Sequence, residues 1–356
     1  MWHETEVQSR LEIKYPVIQA GMAGGTTTPE LVAAVSNSGA LGTLGAGYMA
    51  PEQIRSAIRA VKELTDASFA VNLFIPSPKH SKEQEQSYIE AGLKLTERYR
   101  QKFNLEPPQI NQVEENFDEQ LNVVLEEEVP CFSFTFGLLP MRMLQKLKAQ
   151  NITTIGTATT VNEAIELDLA GVDLIVAQGS EAGGHRGTFL ASSMEQAMVG
   201  TLALVPQVVD QVDVPVIASG GIMDGRGIAA AFMLGASGIQ MGTAFLTCHE
   251  SGAQDMHKEE VLNSTEADTM ITKAFSGKEA RGIKNRFMEE MDDKHDPIPP
   301  YPIQNAATKD IRKAAGQQKK PDYMSLWAGQ GTRLSEAMTA KELVDKLVEE
   351  TDALLR

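Results

Sequence analysis

Eight short apolar runs recur over about 250 residues, and a helix-like stretch follows nearly every one of them. They begin at Val17, Ala40, Phe69, Cys131, Ile152, Asp173, Pro215 and Gly238. Each is short, apolar and bordered by glycine, proline or small polar residues, as buried strands are. Pro29 and Pro51 stand at first helical positions between the runs, and Gly39 and Gly171 supply helix stops. A doubly wound open sheet usually has fewer units and a GxGxxG turn after its first strand, whereas this chain has GMAGG at 21–25. The alternation therefore predicts an α/β fold, a (β/α)8 TIM barrel.

Two stretches fall outside the alternation. From Pro76 to about Asn111 the chain is polar and charged, which predicts an exposed helical insertion after the third strand. Beyond Leu246 no further clean strand is expected. A helix is read near His257, a basic irregular segment from Lys273 to Arg286, and an amphipathic closing helix beginning at Ala340. The expected organisation is a barrel over residues 1–250, with the insertion at about 76–111. A helical and irregular C-terminal extension over 251–356 packs on it.

Charge and cysteine content narrow the function. A formal net charge of −16 disfavours nucleic acid and anionic membranes as partners. The N-terminus has no apolar signal-like core, and no apolar run reaches the roughly 18 residues of a membrane span, so a cytoplasmic protein is expected. Cys131 and Cys248 lie in strand-like runs without zinc-site spacing and read as buried small apolar residues, so no metal site is expected. The sequence leaves a homodimer open.

In such a barrel the active site lies at the C-terminal ends of the strands. Those ends carry Gly21 to Gly24, Asn72, Thr135 to Gly137, Gln178 to His185, Ser219 to Gly221 and Gln240 to Thr243. The SGGI and QMGT segments of the last two strands offer free backbone N–H groups where many barrels bind phosphate. His185 stands among glycines, and the ring otherwise lacks a carboxylate pair, a metal cluster or a serine with a partnered base. A phosphate grip on a chemically quiet wall suggests a phosphorylated cofactor. FMN fits best, with Asn72 and Gln178 offering amides to the flavin's pyrimidine edge. Pyridoxal phosphate would call for a lysine on a strand end.

The sequence resembles the nitronate monooxygenase family of FMN-dependent barrel enzymes. The matching segments are residues 16–42 (PVIQAGMAGG and onward), VNLF at Val71, FSFTFG at Phe132, VAQGSEAGGHRG at Val176, ASGGI at Ala218 and QMGTAFL at Gln240. FSGKEARGIKNRF and WAGQGT in the C-terminal part resemble the family too. The resemblance implies FMN contacts from Met22, Asn72, Gln178, Gly183, Gly221, Gln240, Met241, Gly242 and Thr243, with His185 as the catalytic group. It implies alkyl nitronates and O2 as substrates, with carbonyl compounds and nitrite as products. His185, neutral and near its ordinary pKa, would remove the acidic proton of a nitroalkane or position a nitronate. Glu181 and Arg186 are expected in surface salt bridges. Gly21 stands where the family commonly has proline, which is expected to loosen the turn before Met22. The second reading is a flavin-dependent enoyl-acyl-carrier-protein reductase of the same barrel type. It would use NAD(P)H and present Lys273 to Arg286 as a basic face for an acidic carrier.

Overall fold

A computed structural model describes residues 1–191, 193–292 and 297–355. Eight parallel strands form its centre: β1 (Val17–Gln19), β2 (Gly42–Gly45), β3 (Phe69–Phe74), β4 (Cys131–Thr135), β5 (Thr153–Ala158), β6 (Leu174–Gln178), then β8 (Val216–Ser219) and β9 (Gly238–Met241). A two-residue strand, β7 (Gly184–His185), lies between them in the chain but belongs to another sheet. The parallel order is β1-β9-β8-β6-β5-β4-β3-β2. A bridge between Ile18 and Leu41 brings β1 back against β2 and rounds the sheet into a barrel. The (β/α)8 TIM barrel expected from the alternation is thus the observed fold. The last barrel strand is shorter than its apolar run, because Thr243–Leu246 turns into a helical segment.

Local chemistry explains most of the surrounding helices. Thr28 accepts the Leu31 N–H ahead of Pro29, and Asp224 accepts the N–H groups of Arg226 and Gly227. Gly171 closes the Val161–Ala170 helix in the left-handed conformation that glycine adopts at least cost. An N-terminal helix, Glu6–Leu11, was not foreseen. Its Val7 and Leu11 pack with Ile18, Ala70, Ile155 and Ile217 inside the barrel, and Val7 lies where a side chain on Gly238 would reach.

Above that apolar plug the inward-facing positions change character together. Side chains on one face of a strand recur every second residue. Two residues beyond the buried Ala70, Cys131, Ile155, Val176 and Ile217 stand Asn72, Ser133, Thr157, Gln178 and Ser219, all lining the cavity above. The barrel therefore has an apolar base and a polar floor at its C-terminal end.

Two expectations about the rest of the chain are corrected. The insertion after β3 does form a helix, Lys82–Phe103, but it is not simply exposed. Leu95, Tyr99 and Phe103 join Phe275, Phe287 and Ile311 in a second apolar core. The buried Arg100 donates from Nε to Asp310 at 2.7 Å and ties this helix to the Ile303–Gln317 helix. The C-terminal segment also contains strands. β10 (Thr269–Thr272) and β11 (Ala280–Ile283) pair antiparallel, and β11 pairs in turn with β7. Sequence periodicity missed them because each has only four residues, mixing threonine, glycine and arginine with few apolar ones.

Candidate active site

A cavity of about 850 Å3 opens over the polar floor, and all ten residues singled out from the sequence line it. His185 stands on the wall. Its strand pairs with β11, placing His185 opposite Ala280 and Gly184 opposite Arg281. His185 Nε2 lies 2.9 Å from Ser276 Oγ. The rings of Phe136, Tyr301 and Trp327 surround the imidazole at centroid distances of 5.8, 5.9 and 5.6 Å. Burial first, then the charges of Lys278 and Arg312, push its pKa down to about 3. The expectation of a near-ordinary pKa is corrected: the ring is neutral, and strongly resists protonation.

Gln178 holds the histidine loop in place. Its Nε2 donates to the His185 carbonyl at 3.1 Å, and its Oε1 accepts the Gly187 N–H at 2.9 Å. One N–H and one lone pair of the amide are left for other partners. Asn72 Nδ2 donates to Ser133 Oγ at 2.8 Å, leaving the side-chain Oδ1 without a protein partner among the described residues. Met22 sits in a turn pinned by Thr27, whose hydroxyl donates to the Met22 carbonyl and accepts the Gly45 N–H. That turn is not loose at Gly21: a Cβ there would lie 2.7 Å from the Cβ of Asn72, so the glycine makes room for Asn72.

The opposite rim is built from glycine segments in contact. Gly220 and Gly221 have φ of 117° and 72°, a conformation that opens backbone N–H groups to a ligand. Gly183 lies against residues 328–329, where a Cβ would come within 2.5 Å of both Ala328 C and Gly329 N. Thr243 Oγ1 accepts the Gly329 N–H at 2.9 Å. Gln240 and Gly242 lie on the same rim, while Met241 sends its side chain into the main core.

Among the described residues neither Glu181 nor Arg186 forms a surface salt bridge. Glu181 accepts the Thr201 N–H and hydroxyl and so anchors the start of the Thr201–Val209 helix. Arg186 is fully buried and donates to the carbonyls of Gly179, Gln178 and Ala197 at 2.6, 2.9 and 2.9 Å. Burial lowers its pKa to about 10, which leaves it charged at neutral pH. Below the same loop, the Glu163 carboxylate accepts the Thr159 and Thr188 hydroxyls and the N–H groups of Thr159, Phe189 and Leu190. Burial opposes its charge, but these bonds outweigh that and hold its pKa below the ordinary value.

The profile of the nitronate monooxygenase family matches residues 5–350 of this chain. The chain belongs to the nitronate monooxygenase family. A Staphylococcus saprophyticus protein named "Probable nitronate monooxygenase" is 48% identical over 353 residues, covering 99% of this chain and 98% of that one. One of the same name from Staphylococcus aureus is 48% identical over 357 residues, covering 100% and 99%. Among solved structures, nitroalkane oxidase from Streptomyces ansochromogenes superposes with a TM-score of 0.90 at 37% identity over 98% of each chain. FabK from Thermotoga maritima reaches 0.78 at 30% identity, over 99% of this chain and 97% of its own. The nitronate monooxygenase family membership makes this protein an oxidoreductase. Among the described residues no helix is long and apolar enough to cross a membrane, and no cluster of potential ligands could hold a metal ion.

Several wall residues went unnoticed in the sequence as site residues. Ser276 and Lys278 stand behind the wall, against His185 and the Phe136 ring, inside FSGKEARG, a segment read for its family resemblance and as part of a basic face, and Trp327 lies inside WAGQGT. Phe136 falls within the Thr135 to Gly137 strand end, but its φ of 80°, a strained setting for a non-glycine residue, is seen only in the structure. For Tyr48, Tyr301 and Arg312 the sequence carried no signal, because only folding brings them to this cavity.

Proposed function

We propose that this protein is an FMN-dependent nitronate monooxygenase, which oxidises alkyl nitronates, and nitroalkanes after deprotonation, with O2 to carbonyl compounds and nitrite. The observation that carries the reading is a neutral imidazole on the wall of a large cavity whose polar floor and glycine rim suit a flavin phosphate. The residues present fit FMN. Gly220 and Gly221 offer opened backbone N–H groups for a phosphate, and the Asn72 side-chain Oδ1 has no protein partner among the described residues. The remaining Gln178 amide valences face the same cavity floor. Electron transfer from nitronate to O2 is the chemistry that bound FMN supplies.

The chain's own contribution is proton handling and charge. Neutral His185 takes the proton from the carbon bearing the nitro group. Lys278 and Arg312 disfavour a bare imidazolium, but once the nitronate forms beside it that cost is offset by ion pairing. A nitronate entering as an anion meets the same positive field. The aromatic rings around His185 give an alkyl substituent an apolar lodging.

The enoyl-acyl-carrier-protein reductase reading draws on the likeness to FabK. Its basic docking face is undercut by the ion pairs of Lys273, Lys284 and Arg286 with Glu279, Glu289 and Glu290. Lys278 and Arg281 turn inward to the carbonyls of Thr188 and Ser180. The deciding experiment mixes the protein with a small alkyl nitronate in air, without pyridine nucleotide, and follows nitrite and oxygen. Nitrite release with oxygen uptake is expected. No nitrite, together with rapid flavin bleaching by NADH and consumption of an enoyl thioester, would replace this reading with the reductase.

A further inference from the structure

We propose that Ser276 is a positioning residue that holds His185 in the Nε2–H tautomer, so that Nδ1 is the atom able to accept a proton. The inference rests on the reading of His185 as the proton-accepting group, but its structural half is tested without catalysis.

The argument is an accounting of one hydroxyl. Ser276 is 1% exposed, so its hydrogen bonds are made within the protein. Three polar atoms surround its Oγ: the Lys278 carbonyl oxygen at 3.0 Å, the Lys278 N–H at 3.3 Å and His185 Nε2 at 2.9 Å. A carbonyl oxygen only accepts, and among the described residues no other donor reaches Lys278 O, so the single hydroxyl proton is assigned to that part-buried oxygen. A backbone N–H only donates, so it takes one lone pair of Oγ. The lone pair left over faces His185 Nε2, and a hydrogen bond forms there only if Nε2 carries the proton. The neutral ring has one proton, so Nδ1 keeps its lone pair. Among the described residues Nδ1 has no protein partner.

The fold makes this arrangement rigid. Ser276 sits in the connection between β10 and β11, and the β11–β7 pairing brings that connection against His185. Gly277 next to it has φ of 82°, and a Cβ there would lie 2.6 Å from the Tyr301 N. The turn is therefore packed against the segment that delivers Tyr301 to the imidazole. A ring confined this way has little freedom to turn and exchange its nitrogens. Loss of tautomer control over a catalytic histidine is costly even where the geometry survives.

The test uses the full-length protein, as purified, labelled with [15N]histidine. Long-range 15N–1H spectra distinguish the tautomers, and His185 is identified by the signals lost in His185→Asn. The native protein is expected to show a protonated Nε2 and an unprotonated Nδ1 at His185. Ser276→Ala is expected to populate the Nδ1–H form and to lower kcat/KM on a neutral nitroalkane by about 10- to 100-fold, part of what a general base contributes. The loss on pre-formed nitronate should be smaller, and Ser276→Thr should restore the native tautomer and part of the rate. An Nδ1–H signal in the native protein overturns the proposal, and that spectrum decides it even if the alanine variant does not fold. So does a folded alanine variant with unchanged tautomer. A shifted tautomer with unchanged nitroalkane turnover supports the positioning role and instead removes His185 as the base.

Discussion

His185 lies directly opposite Ala280 across an antiparallel strand pair, 95 positions apart in the chain by their numbers. That register carries Lys278 behind the wall, where its Nζ donates to the Thr188 carbonyl at 2.9 Å and stands 4.8 Å from the Phe136 ring centre. The histidine's electrostatic setting is therefore made by a segment remote in sequence.

The first prediction concerns pH. With its pKa pushed down to about 3, His185 is deprotonated across the neutral and mildly acidic range. The profile of kcat/KM on nitroethane should therefore show no acid limb near the usual imidazole value of about 6.5. A nearby cation penalises imidazolium, so removing it raises the pKa. Lys278→Met should bring an acid limb upward into view. An acid limb at the ordinary value in the native enzyme, or no upward change in the variant, contradicts this account.

Removal of the imidazole is the second. His185→Asn should keep its flavin but lose a factor of about 10² to 10⁴ on neutral nitroalkanes. Pre-formed nitronates no longer need the proton removed, so the loss there should be smaller. Steady-state rates on matched nitroalkane and nitronate pairs measure the difference. Parity of variant and parent on nitroethane would sink the base assignment.

Contact between the two glycine segments supplies the third. Gly183→Ala puts a methyl group against backbone atoms of Ala328 and Gly329, which cannot swing aside as a side chain would. Overpacking of this kind costs about 1 to 3 kcal/mol. Urea unfolding should show that loss, accompanied by weaker flavin retention on gel filtration. A variant as stable as the parent would mean the two segments do not press on each other.

Arg186 gives the fourth. Its guanidinium satisfies three carbonyls from two directions, a geometry that a lysine's single ammonium does not reproduce. Arg186→Lys should destabilise the protein by about 2 to 4 kcal/mol, since buried acceptors are left unpaired. Denaturant midpoints at constant slope report it. A change under about 0.5 kcal/mol, the size of an ordinary surface substitution, would refute the buried role.

The sequence by itself determined the eight strand runs, their parallel barrel and the ring of residues at the strand ends. Those features follow from local periodicity: Ala70 and Asn72 share a face because they are two residues apart, as do Val176 and Gln178. His185 and the nine proposed cofactor contacts were legible because a barrel always gathers its strand ends at one mouth. Tertiary structure alone decided what each polar group does there. Arg186 reads as an ordinary exposed cation until folding buries it under three carbonyls, and Gln178 reads as a free amide until the loop returns to it. Ser276 and Lys278 reach His185 only through the pairing of β7 with β11, strands too short to leave a periodic mark. Periodicity records which face a residue occupies. Hydrogen-bond partners and the charges that set a pKa depend on distances that only the closed chain fixes.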